Sequence, residues 1–163
     1  MISLPSRSTD AAQVLRRMEA LRAHDARWQE GKTWSLVYHL GDELTAFLRD
    51  AHNMFFSENG LSPMAFPSLK QFEAEVVSMA AGLLGGDEQV TGNMTSGGTE
   101  SILMAVVTAR EWARANRPAI TAPEMVLPAT AHPAFEKAAH YFDVKSVRVP
   151  IDAGYRADVD AMR

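Results

Sequence analysis

The sequence predicts an α/β fold, and three features carry the prediction. Glu124-Met-Val-Leu127 and residues 144–149 are short apolar runs of strand length. Ala134–Phe142 between them has the length of a short helix, with Pro133 ahead of it where a first helical turn accepts proline. Strand, helix and strand of these lengths form a βαβ unit, for which a parallel sheet and a right-handed crossover are expected. Upstream, apolar residues recur every three or four positions in several stretches, the spacing of helices that lay one face on a core. Between the two regions stands Thr91-Gly-Asn-Met-Thr-Ser-Gly-Gly-Thr-Glu-Ser-Ile-Leu-Met-Ala-Val106, where two glycines and several hydroxyl residues lead directly into an apolar helical run.

In chain order, Ser8, Thr9 and Asp10 offer caps for a first helix over about residues 10–30, with Val14, Leu15, Met18, Leu21 and Trp28 as its apolar stripe and Gly31 as its stop. Arg16, Arg17, Arg22 and Arg27 form its opposite face, which either is solvated or lies across a partner subunit. Residues 31–41 read as extended or irregular, because Trp34, Val37 and Tyr38 favour strand-like backbone and glycines bracket them. Asp42 and Glu43 suit the first turn of a second helix carrying Leu44, Phe47, Leu48, Ala51 and Phe55. Residues 57–67 hold the glycine, prolines and polar side chains of a long ordered loop. Ser68-Leu-Lys-Gln71 has capping-box spacing for a third helix with Phe72, Val76, Met79, Ala80 and Leu83 on one face and Gly85-Gly86 as its stop. Glu73 and Glu75 lie about 200° apart on that helix, so they do not form an acid–base pair. The helix after the glycine loop runs to about residue 116, with Arg110, Arg114 and Arg117 toward its negative end and Pro118 beyond it. Asp158 is a cap for a further helix near Val159. No internal repeat or low-complexity linker is present.

With 163 residues, 47% of them hydrophobic and 22% charged, the composition is that of an ordered globular chain. A net charge of -4 and a pI near 5.7 give no electrostatic reason to expect nucleic acid. Cysteine is absent, which removes disulfide and thiol chemistry and fits a reducing compartment. No apolar run reaches membrane-span length, and Met1-Ile-Ser-Leu-Pro5 lacks a secretory-signal pattern, so a cytoplasmic location is expected.

Candidate chemistry starts at the glycine loop. First-turn amides of a helix have no intrahelical acceptor and the helix dipole favours negative charge, so Gly97 and Gly98 before the apolar run describe an anion site, with hydroxyls from Ser96 and Thr99. The plainer reading is a capped helix after a tight turn. Neither Gly-x-x-x-x-Gly-Lys-Ser/Thr nor Gly-x-Gly-x-x-Gly is present, which disfavours a nucleotide P-loop and a dinucleotide site. His132 lies at the carboxyl end of the first strand, where ligands of open α/β sheets bind; its plainer role is to cap the helix that follows. His24, His39, His52, His132 and His140 lack close metal-ligand spacing, so no metal is expected.

Thr95-Ser-Gly-Gly-Thr-Glu-Ser-Ile-Leu-Met-Ala105 resembles the phosphate-binding segment of the pyridoxal-phosphate-dependent sphingosine-1-phosphate lyases, relatives of the group II amino-acid decarboxylases. Thr130-Ala-His-Pro-Ala-Phe135 resembles that family's Ser/Thr-Ala-His-x-Ala-Phe, whose histidine stacks on the pyridine face of the cofactor. Gly31-Lys32, Val37-Tyr38 and Gly41-Asp42-Glu43 resemble a stretch at the same distance before the glycine loop, whose tyrosine lies in the active site. Residues 57–67 resemble the active-site loop, with Asn59 and Phe66-Pro67 at matching positions. The resemblance covers roughly residues 31–163, and three spaced motifs in order are far more specific than one.

The resemblance implies the N-terminal part of a fold-type I pyridoxal-phosphate-dependent transferase/lyase. Residues 1–60 would form a helical arm and active-site segment, and residues 61–163 the beginning of the large cofactor-binding domain. It implies pyridoxal 5'-phosphate as cofactor, with its phosphate on Ser96, Gly97, Gly98 and Thr99 and its ring on His132. Tyr38 would be catalytic and, with Asn59, would face the substrate. The implied reaction is retro-aldol cleavage of a phosphorylated sphingoid base to a fatty aldehyde and phosphoethanolamine, in a homodimer with shared active sites. Two departures bear on this: Ser62 stands where animal-type lyases have a substrate-facing histidine, and Trp34-Ser35 replaces a common Ser-Gly. The family's Schiff-base lysine and the aspartate at the pyridinium nitrogen belong downstream of residue 163, and Lys32, Lys70, Lys137 and Lys145 do not match the lysine motif. Residues 1–163 alone are therefore expected to be inactive, the rest coming from the remainder of the polypeptide or a second chain. A group II decarboxylase and a non-catalytic assembly module are the alternatives.

Overall fold

The structure, a computed structural model, describes residues 4–34 and 37–163. It divides into two compact units, Met1–Ser62 and Pro63–Arg163. In the first, helix α1 (Ala11–Arg22) starts where the Asp10 carboxylate accepts the Gln13 amide at 3.1 Å, as the sequence predicts. It ends earlier than predicted. The amides of His24 and Asp25 bond to Leu21 and Arg22 three residues back, which tightens the helix and lets the chain leave it. A separate 3-10 turn (Trp28–Glu30) follows, and Gly31 closes it in the left-handed region at φ 69°. Residues 37–41 are irregular, and the Ser35 of the Trp34-Ser35 departure lies outside the described residues. Gly41, at φ 101°, leads into α2 (Asp42–Met54), whose first turn carries Asp42 and Glu43.

The second unit opens with α3 (Pro67–Leu83), and here the capping-box expectation fails. Pro67 occupies the first turn and Phe66 the cap position, with no side-chain cap. Proline arrives with helical φ and no amide to satisfy, so the helix begins one residue before Ser68, and Gln71 bonds Glu75 at 2.6 Å instead of reaching back. The far end closes as a Schellman motif. Gly85 sits at φ 75°, and the amides of Gly86 and Gly85 bond the carbonyls of Ala81 at 2.8 Å and Gly82 at 3.2 Å.

Helix α4 (Gly98–Asn116), strand β1 (Glu124–Pro128), helix α5 (Ala134–Phe142) and strand β2 (Lys145–Val149) follow. β1 and β2 pair in parallel, from Glu124 opposite Lys145 to Pro128 opposite Val149. The core sits where α4, α5 and the sheet meet. Val106, Ala138 and Val144 are buried there, with Leu103, Met125, Phe135 and Phe142 packed against them. Ala138, 0% exposed, is small enough for the two helices to approach closely. Arg110, assigned from sequence to the dipole of its own helix, instead crosses to α5: it donates to the Phe142 carbonyl at 2.7 Å and lies over the Phe142 ring at 5.2 Å. A last short helix, α6 (Val159–Met162), starts at Asp158, whose carboxylate accepts the amides of Asp160 and Ala161.

Candidate functional site

Two turns of the second unit hold the glycine loop and His132 singled out in the sequence. The first is the entry to α4. Gly97 is its cap residue, and no side chain caps it, so the amides of the first turn are left for an outside acceptor. The loop is held from within: the Thr95 hydroxyl lies 2.6 Å from that of Ser101 and donates to the Gly97 carbonyl at 3.2 Å. Glu100 reaches back to accept the Ser96 amide at 2.6 Å. The Ser96 hydroxyl and amide hold the Glu100 carboxyl below its ordinary value of 4.5. Sequence reading missed this contact, although the glutamate three residues after Gly97 was a local signal for it.

A Cβ added at Gly97 or Gly98 would meet nothing within 4 Å. Gly97 is extended at φ 160°, and neither residue has the left-handed φ seen at Gly31, Gly41 and Gly85. Packing and backbone strain therefore do not require these two glycines. The free space above them suits a tetrahedral anion at an uncapped helix end, the condition a cofactor phosphate needs.

The second turn joins β1 to α5. His132 is exposed, and its Nδ1 accepts the Ala134 amide at 3.1 Å. The neutral ring consequently carries its proton on Nε2. The capping role weighed for this histidine is real, and it leaves the imidazole faces free of that contact. Glu136 and Arg148, both overlooked in the sequence, lie next to this turn. The Ser146 hydroxyl at 2.7 Å and Arg148 Nε at 2.6 Å both donate to Glu136 Oε1. Ser146 first, and Arg148 second, hold the Glu136 carboxyl below 4.5. No local spacing announces a bond between residues twelve apart on a helix and a strand.

Among the described residues, no hydrogen bond or ring contact joins His132 to the glycine loop. Tyr38 and Asn59 belong to the first unit. Tyr38 is exposed, and Asn59 Oδ1 accepts the Leu61 amide at 3.1 Å, which shapes its own loop. Ser62 is exposed as well. No group of metal-binding side chains occurs among the described residues. A groove of about 400 Å³ between α4 and β1 is lined by Ala105, Val106, Ala109, Arg110 and Met125 among others, and includes neither turn.

No family model matches the chain. Individual proteins do. It is 45% identical over 159 residues to the sphingosine-1-phosphate lyase of Oryza sativa subsp. japonica, covering 93% of this chain and 29% of that protein. It is 43% identical over 161 residues to sphingosine-1-phosphate lyase 1 of Mus musculus, covering 99% and 28%. The chain is homologous to sphingosine-1-phosphate lyases. Among solved structures, the lyase of Burkholderia pseudomallei K96243 superposes with a TM-score of 0.87 at 35% identity, over 98% of this chain and 38% of that one. Lactobacillus brevis glutamate decarboxylase superposes with a TM-score of 0.74 at 22% identity, which speaks for the fold alone. The fold is thus the one expected, the N-terminal part of the α/β architecture that the lyase and the decarboxylase share. The chain spans under a third of the length of these curated lyase relatives.

Proposed function

We propose that this chain forms part of a pyridoxal-phosphate-dependent lyase that splits phosphorylated sphingoid bases into a fatty aldehyde and phosphoethanolamine. The observation that carries the reading is the uncapped entry to α4, where Gly97 and Gly98 leave room for an anion that the fold itself does not need. Its setting in a sequence 45% identical to a sphingosine-1-phosphate lyase supports the cofactor and the substrate class.

In this reading the amides of Gly98 and Thr99, with the hydroxyl of Thr99 and that of Ser96 turned from Glu100, hold the phosphate of pyridoxal phosphate, and His132 lies against its ring. When bound, the cofactor supplies the electron sink for carbon–carbon cleavage. The chain's own residues orient it. A helix end fixes its charge, and an imidazole held by the Ala134 amide fixes its plane. Tyr38 is assigned to catalysis, and Tyr38 and Asn59 to the substrate. Residues 1–60 supply the arm and substrate-facing segment, and residues 61–163 begin the cofactor domain. We assign the Schiff-base lysine to polypeptide outside residues 1–163; Lys70 and Lys137, both exposed on helices, fit no such role.

A homodimer with shared active sites accords with the apolar stripe of α1, whose Val14, Leu15, Met18 and Leu21 are all exposed; sedimentation of the complete protein tests it. The location assigned is cytoplasmic, to be checked by cell fractionation. Among the described residues, no helix is long and apolar enough to cross a membrane.

A second reading, an amino-acid decarboxylase, is favoured by 29% identity over 97% of this chain to a probable L-aspartate decarboxylase of Pyrococcus furiosus. Product analysis on the complete protein separates the two. Fatty aldehyde from a phosphorylated sphingoid base supports the lyase, and carbon dioxide from an amino acid overturns it.

A further inference from the structure

His132 stands on the turn between β1 and α5, its ring bonded to the first amide of α5, and the turn that carries its backbone must be held as well if the imidazole is to keep one position. The Arg148 side chain, on β2, reaches across the carboxyl end of β1. Its Nη1 donates to the Pro128 carbonyl at 2.8 Å and lies 3.3 Å from that of Ala129 and 3.4 Å from that of Ala131. Ala131 directly precedes His132. Nε of the same guanidinium is held at 2.6 Å by Glu136 in the first turn of α5, and the Ser146 hydroxyl steadies that carboxylate. One planar group therefore ties β2, the β1 exit and α5 together around the histidine. The ends of the turn are fixed by the Ala129 amide on Val149 at 2.8 Å and the Ala131 amide on Pro128 at 2.9 Å.

We propose that Arg148, anchored by Glu136, is a positioning residue that clamps the turn at residues 128–131 and so sets where the His132 ring meets the cofactor. The inference rests on the reading of His132 as the ring-contacting residue. Arginine suits the task because its fork donates in two directions from a rigid plane, toward the carboxylate and toward the carbonyls, whereas a lysine ammonium is a single point.

The test uses the complete protein, with and without pyridoxal phosphate, as Arg148→Ala, Arg148→Lys and Glu136→Gln, each also combined with His132→Ala. Melting curves identify any variant that fails to fold, and Glu136→Gln is the milder variant that keeps the probe usable. Arg148→Ala is expected to weaken pyridoxal phosphate binding about tenfold and to diminish the visible circular dichroism of the bound cofactor, with Arg148→Lys restoring little. In the His132→Ala background the same change should add less than about twofold, since residues acting as one unit are not additive. Without cofactor, Arg148→Ala should speed hydrogen exchange at the Ala134 amide and shift the His132 Nδ1 resonance, as that hydrogen bond loosens. Full additivity with His132→Ala, or unchanged binding, dichroism and Nδ1 resonance in Arg148→Ala, overturns the clamp. If His132→Ala alone leaves cofactor binding and dichroism unaltered, the ring-contact reading falls. An altered Nδ1 resonance in Arg148→Ala would then still show that the clamp on the turn exists.

Discussion

At the level of single residues, the glycine pair yields the sharpest prediction. Gly98 has neither a left-handed φ nor a close neighbour, so a larger residue does not strain the fold. Helix propensities place valine within about 0.5 kcal/mol of glycine, so Gly98→Val should leave the melting temperature of the apo protein nearly unchanged. Its side chain would occupy the space assigned to the phosphate, and pyridoxal phosphate retained after gel filtration should fall by about tenfold or more. Equal cofactor content, read by absorbance, removes the phosphate assignment. His132→Ala should lower activity toward a phosphorylated sphingoid base while the protein still folds, because the residue is exposed and the lost bond to the Ala134 amide costs about 1 kcal/mol. Unaltered kinetics in both that variant and Tyr38→Phe would remove both residues from the site. Glu136 gives a prediction in pH. Its carboxyl is held below 4.5 in the folded chain, chiefly by Ser146 and then by Arg148. A carboxyl with a depressed folded pKa contributes stability that is complete above the unfolded value and is lost as pH falls through the folded one. Wild type should therefore melt above Glu136→Gln at neutral pH, with the gap closing below pH 4.5. A gap that persists in acid would show that the charge is not what matters.

At the level of elements, α1 and α6 start on aspartate caps, whereas the two ends of α3 are set by backbone geometry, Pro67 at its start and Gly85 at its close. The end of α3 depends on Gly85 at φ 75°, a conformation that disfavours any side chain by about 1–2 kcal/mol. Gly85→Ala should thus lower the stability of the complete protein by about 1 kcal/mol in urea unfolding, while Gly82→Ala, inside the helix, should raise it slightly. The contact between α4 and α5 depends on Ala138, which is 0% exposed and packed with Val106 and Val144. Ala138→Leu forces extra volume into that junction and should destabilise by about 1–3 kcal/mol, measurable as a lower urea midpoint. An unchanged midpoint would mean that the two helices separate freely.

For the whole molecule the governing fact is unsatisfied surface. Leu15, Met18 and Leu21 of α1, Phe47 and Leu48 of α2, and Val76 and Met79 of α3 are all exposed. Apolar surface on this scale promotes association. Residues 1–163 produced alone are therefore expected to aggregate or self-associate, and to show no turnover with added pyridoxal phosphate. A monomer in sedimentation that also cleaves substrate would defeat this, and would show that a lysine among these residues serves as the carrier.

The sequence by itself determined the elements. The 3–4 spacing of apolar residues marked α2 and α3, the apolar run after Gly97-Gly98 marked α4, and the short apolar runs on either side of Pro133 marked β1, α5 and β2, because local periodicity and turn chemistry are written in neighbouring residues. It also marked the glycine loop and His132, since both sit at element junctions that short motifs describe. Side-chain reach was decided only by the tertiary structure. Arg110 turned from its own helix to the end of α5, and Arg148 crossed from β2 to the β1 exit. Gln71 bonded forward along its helix rather than back to Ser68 because Pro67 had already started that helix. Periodicity says which face a side chain leaves from. Which carbonyl or carboxylate it finds depends on where a strand or helix distant in sequence has packed.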